Sequence, residues 1–109
     1  MYAVVFRAEV AQLDDQYTQL AAQLRDLALE KYGCLEFTSC REGEYEIAIS
    51  YWRSQADIVA WKSDLEHLTA QQLGRSKWYR NYKVQVMEVL REYGSLACQY
   101  FQCHTASTQ

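Results

Sequence analysis

The 109-residue sequence predicts an α+β domain: a four-stranded antiparallel sheet with two helices on one of its faces. Three observations carry this. Residues 2–10 alternate with a period of two, the mark of a strand. Residues 14–32 switch to a helical period. After a hairpin the helix–strand pattern returns, so the order is strand, helix, strand, strand, helix, strand.

In the first strand Tyr2, Val4, Phe6, Ala8 and Val10 share one face, and Ala3, Val5, Arg7 and Glu9 the other. In the helix that follows, Leu13, Tyr17, Leu20, Leu24 and Leu27 recur at steps of four and three, with Ala21 and Ala28 filling the stripe. Asp14 or Asp15 caps its start, Lys31 sits in its last turn, and Gly33 supplies the left-handed residue after it. Cys34–Arg41 and Glu44–Trp52 read as strands joined by a tight turn at Glu42-Gly43. On the second of these, Tyr45, Ile47, Ile49 and Tyr51 form an apolar face. Glu46, Ala48, Ser50 and Trp52 form a more polar one that ends in an indole.

Ser54, with Asp57 three residues on, resembles a capping box and opens the second helix. Its stripe is Ile58, Trp61, Leu65 and Leu68, with Leu73 beyond, and Gly74 ends it. Ser63-Asp64 is a second plausible cap, so a break or kink is expected there. Tyr79–Glu92 reads as a long last strand whose alternation slips at Met87-Glu88-Val89, which suggests a β-bulge. Residues 1–93 then form the domain. Residues 94–109 form a tail in which Leu96, Tyr100 and Phe101 are the groups available for docking.

This is the split βαβ, or ferredoxin-like, order. Its helices cover one face of the sheet only. The first and last strands carry apolar groups on both faces, which predicts a homodimer packed sheet to sheet.

The totals exclude several classes. A net charge of −3 gives no electrostatic case for nucleic acid or an anionic membrane surface. The charge is uneven: residues 75–92 hold five cations and two anions, so the remainder is strongly acidic. No apolar run approaches the roughly 20 residues of a membrane span. The start, MYAVVFRAEV, has no basic leader, so a cytoplasmic protein is expected. Cys34, Cys40, Cys98 and Cys103 form no CxxC pair, and free thiols are the default. Cys34 and Cys40, read on one strand, lie about 20 Å apart, too far for a disulfide. Cys98 and Cys103-His104 match zinc-ligand spacing only loosely, so no metal site is expected.

The chemistry-bearing groups concentrate between Tyr45 and Tyr82, which holds all three tryptophans and His67. Trp61 lies on the apolar stripe, as core or as the wall of a cavity within the core. His67 follows six residues on, about 120° from that face on an unbroken helix. It joins Trp61 only if the helix breaks near Ser63. Trp78, Tyr79 and Tyr82 read as an aromatic cluster at the dimer interface or as pocket wall. Arg75 follows Gly74, where it can meet the helix C-terminus, Glu66 or an anion.

The segments EIAISYW, AWKSDLEH and AQQLGRSKWYRNYKVQV resemble the antibiotic biosynthesis monooxygenase superfamily over about residues 2–92. Trp61, Glu66-His67, Gly74-Arg75, Trp78-Tyr79 and Tyr82 carry the likeness. The resemblance implies a dimeric α+β barrel with a cavity in each subunit between sheet and helices. In its quinone-forming members an electron-rich phenol is deprotonated and its carbanion reduces dioxygen, with no metal or flavin. It therefore implies a cofactor-independent monooxygenase acting on a small aromatic or quinol-like molecule. His67 stands where the monooxygenases have a tyrosine and would exchange the proton. Trp61, Trp78 and Tyr82 would shape the pocket, and Arg75 would hold an oxyanion. Haem-degrading members use an asparagine in the first strand, whereas the only asparagine here is Asn81. The alternative is a non-catalytic dimeric protein, binding-type or stress-associated, that sequesters haem or another hydrophobic ligand.

Overall fold

The computed structural model describes residues 1–11, 14–72 and 78–95, with the backbone alone for 66–72. It contains β1 (Tyr2–Val10), α1 (Asp15–Glu30), β2 (Glu36–Glu42), β3 (Tyr45–Trp52), α2 (Gln55–Gln72) and β4 (Tyr79–Glu88). The strands form one antiparallel sheet in the order β2-β3-β1-β4, the ferredoxin-like arrangement. The expected tail lies outside the described residues from residue 96 on, and with it Cys98, Cys103 and His104.

Local chemistry places each boundary. The Asp14 carboxylate accepts from Tyr17 N–H at 2.8 Å and caps α1. At its far end Lys31 N–H bonds the Leu27 carbonyl, and Gly33 takes φ +77° so that Cys34 N–H reaches the Ala28 carbonyl. That turn holds Cys34 in the helix-side core, so β2 starts at Glu36 rather than at Cys34. Gly43, with φ +61°, closes the β2–β3 hairpin. Ser54 Oγ accepts from Asp57 N–H and caps α2. The expected break at Ser63 does not occur. The Ser63 hydroxyl bonds back to the Val59 carbonyl, four residues earlier, and α2 runs unbroken to Gln72.

Strand β4 departs from expectation at both ends. The register slips between Glu9↔Asn81 and Val10↔Tyr79, so the extra residue is Arg80 and the irregularity lies at the start of the strand, not at Met87–Val89. Arg80 uses that position to reach Glu44 at 2.7 Å and Glu9 at 3.4 Å. The strand ends at Glu88, opposite Tyr2, where β1 begins.

The face of the sheet that carries Val4 and Trp52 lies under the helices. Trp52 and Ala28 are fully buried in a cluster with Val4, Cys34, Ile58 and Trp61. A second cluster joins Tyr17 and Leu20 of α1 to Trp78. The covered face of β3 is therefore the more polar one, Glu46 to Trp52. Its aliphatic face, with Ile47 38 % exposed, looks outward beside Val5 and Met87.

The two described thiols differ. Cys34 is buried, its Sγ donates to the Glu36 carbonyl, and burial pushes the thiol up to about 11, whereas Cys40 is exposed. Iodoacetamide at pH 8 should label Cys40 in the native protein and leave Cys34 unmodified, with both labelled in denaturant. Peptide mass mapping checks this, and equal native labelling would contradict the placement of Cys34.

Candidate active site

A cavity of about 820 Å³ lies between the covered face of the sheet and the helices. Phe6 and Val4 of β1, with Val84 and Val86 of β4, form its floor. Leu24 of α1 and Trp61 of α2 form walls. The helices do not close over β4: Val84 and Val86 are 48 % and 51 % exposed although they share the face of buried Val4. A void of this size with an apolar lining is in the range that binds a small organic molecule.

Trp61 is fixed at the junction of both helices. Its ring lies 5.2 Å from that of Trp52 and 6.1 Å, edge-on, from Phe37. Its Nε1–H donates to the Leu24 carbonyl at 3.0 Å, which ties α2 to α1. Nearby, Tyr32 donates its hydroxyl to Asp64 at 2.7 Å, a second link between the C-terminal end of α1 and α2.

The polar end of the cavity was not singled out from sequence. Ala8, small and buried, stands between Glu46 on β3 and Tyr82 on β4. That gap leaves room above the sheet for Tyr17, whose hydroxyl donates to the Glu46 carboxylate. Tyr79 lies edge-on at 5.9 Å from Tyr17, and Trp78 at 5.5 Å. Tyr82 is 6.1 Å from Phe6 in a stacked arrangement and 5.8 Å from Tyr79. Burial raises the Tyr17 phenol far above its ordinary value, and the Glu46 carboxylate adds to the effect. Tyr79 is also raised, again mainly by desolvation. Trp78 is 1 % exposed, and its Nε1–H has no partner among the described residues.

Trp61, Trp78 and Tyr82 therefore line one cavity. The placement of Trp78, Tyr79 and Tyr82 at the outer, sheet-to-sheet face is corrected. The slip at Arg80 and the pairing of Tyr82 with Ala8 put them on the helix side. His67 belongs to the unbroken part of α2, so the break that would bring it to Trp61 is absent. Its side chain, and all of Arg75, lie outside the described residues. Among the described residues, no group of three His, Cys, Asp or Glu side chains is arranged to hold a metal. No helix there is long and apolar enough to cross a membrane.

No family model matches the chain. The uncharacterized protein YqjZ of Bacillus subtilis is 37 % identical over 92 residues, which cover 84 % of this chain and 81 % of YqjZ. The jasmonate monooxygenase ABM of Pyricularia oryzae is 29 % identical over 94 residues, which cover 82 % of this chain and 43 % of that enzyme. A solved antibiotic biosynthesis monooxygenase matches the fold with a TM-score of 0.60 at 13 % identity, covering 84 % of this chain and all of the other.

The raised phenols have a consequence for stability. Above the ordinary phenol range the unfolded chain releases the Tyr17 and Tyr79 protons and the folded chain keeps them. Their contribution is thus complete below pH 10 and lost as pH rises beyond it. The melting temperature should fall between pH 10 and 11.5, and Tyr17→Phe should fall less steeply. At neutral pH the same variant should cost about 1 kcal/mol through the lost hydrogen bond. Thermal melts across pH check both, and parallel pH curves for the two proteins would contradict the assignment.

Proposed function

This chain belongs to the antibiotic biosynthesis monooxygenase superfamily, and on that premise we propose that it oxidises a small, electron-rich aromatic molecule with dioxygen. The observation that carries the reading is an aromatic-walled cavity with a carboxylate–phenol pair at its end. The reaction that suits it is conversion of a phenol-activated CH₂ to a carbonyl. A proton leaves the substrate, the resulting carbanion passes its electrons to dioxygen, and the hydroperoxide so formed loses water. One oxygen atom stays in the product and the other leaves in that water.

Glu46 accepts the substrate proton. Tyr17, released from Glu46 as that carboxyl is protonated, turns its hydroxyl to the substrate oxygen. Trp61, Trp78 and Tyr82 hold the ring. His67 acts as a second acid–base group, and Arg75 holds the substrate's oxyanion. Comparison of Glu46→Gln with His67→Ala separates the two acid–base assignments.

A second reading is non-catalytic binding of haem or another hydrophobic ligand. It is favoured by the asparagine count: β1 has none, and Asn81 donates to Glu9 at 3.1 Å on the outer face. The proposed assembly is a homodimer through the outer sheet face, where Tyr45, Ile47 and Met87 are exposed. The free thiols suit a cytoplasmic setting.

Oxygen uptake with a panel of naphthols, anthrones and quinols is the test of catalysis. At least one should be consumed with one product carbonyl per dioxygen, and Glu46→Gln should slow turnover about 100-fold or more. Uptake no faster than buffer for the whole panel, together with a Soret shift on haem titration, would favour the second reading. Light scattering should give twice the chain mass, and Ile47→Arg should shift it to one.

A further inference from the structure

The chain has 14 acidic and 11 basic residues, yet its cavity has the opposite balance. Among the described residues Arg25, Arg41, Lys62 and Lys83 border it, and Glu46 is the one carboxylate. Glu46 already accepts from Tyr17. Arg41 stands directly across from Glu46 on β2, but the two form no ion pair. Neither Arg41 nor Lys62 has an ion-pair partner among the described residues. Among the described residues Arg25 pairs only with its sequence neighbour Asp26, at 3.8 Å and exposed to solvent, a contact of little energetic weight. Lys83 pairs in register with Arg7 on the outer face and borders the cavity only at the edge of β4.

Arg25, Arg41 and Lys62 come from three separate elements, α1, β2 and α2. Arg25 and Lys62 each directly follow a member of the Leu24–Trp61 link in sequence, and both border the cavity. A purely apolar ligand would leave the cations solvated. An aromatic ring bearing an acid would fill the apolar interior and meet the cations at the mouth with charge-assisted hydrogen bonds, bidentate in the case of an arginine. We infer that the cavity takes an aromatic molecule that carries a carboxylate, with its ring against Trp61 and Phe6 and its carboxylate between Arg25, Arg41 and Lys62. This rests on the reading of the cavity as a substrate site and narrows the class of substrate.

The test uses the full chain and isothermal titration calorimetry with two probes of equal ring size, 2-naphthoate and 2-naphthalenemethanol. The acid should bind about tenfold more tightly at low ionic strength, and the gap should shrink in 0.5 M salt. The double variant Arg41→Glu/Lys62→Glu should remove the preference and leave the affinity for the alcohol within about twofold. Both positions are exposed, and circular dichroism with a melting curve checks that the variant folds. Milder single changes, Arg41→Gln and Lys62→Gln, should each remove part of the preference. Equal binding of the two probes, or a preference that survives charge reversal, overturns the carboxylate assignment alone. Absence of binding by either probe overturns it together with the substrate-site reading.

Discussion

One indole fixes where the helices lie. Trp61 packs at a tilt against Trp52 of the sheet, touches Phe37 edge-on, and gives its N–H to a carbonyl of the other helix. A buried tryptophan has both a large apolar surface and a polar atom that must be satisfied, and this geometry satisfies both. The bond to Leu24 closes the two helices together over β1 and β3. The face of β4 that carries Tyr82, Val84 and Val86 is left half open, and the cavity is the space that results.

The polar end of that space depends on a small side chain. Ala8 separates Glu46 from Tyr82 in one row across the sheet, and a larger residue there would fill the place of the Tyr17 ring. The carboxylate keeps a hydrogen bond in a setting that raises the phenol, so the pair is held as acceptor and donor rather than as two anions. Such a pair can exchange a proton with a bound hydroxyl without a large rearrangement.

The fold was legible because its signals are local. The alternation of Tyr2–Val10 and the leucine stripe of α1 each follow from a single period, and Ser54, with Asp57 three residues on, announced the start of α2 at Gln55. What was not legible depends on pairing. Glu46 lies 29 residues from Tyr17, and nothing in its own strand marks it as the partner of a phenol. The face of β3 chosen by the helices was also hidden, because hydrophobicity favoured Tyr45–Tyr51. Trp52 and its hydrogen bond to Ser50 turned the less apolar face inward. The bulge lies at the start of β4 rather than at its end, at Arg80, where two carboxylates, Glu9 and Glu44, converge on the guanidinium. Of the residues named from sequence, Trp61, Trp78 and Tyr82 share the cavity, whereas His67 and Arg75 fall where no side chain is described.

We place the ligand on the helix-covered side of the sheet rather than on its outer side. Heteronuclear NMR with added 2-naphthol tests it most directly. Saturable shifts are expected for the Trp61 indole N–H, which bonds Leu24, and for the Tyr82 and Val84 amides, with Tyr45 and Ile47 unmoved. Shifts confined to Tyr45, Ile47 and Met87, or no saturable shift at Trp61, would contradict it.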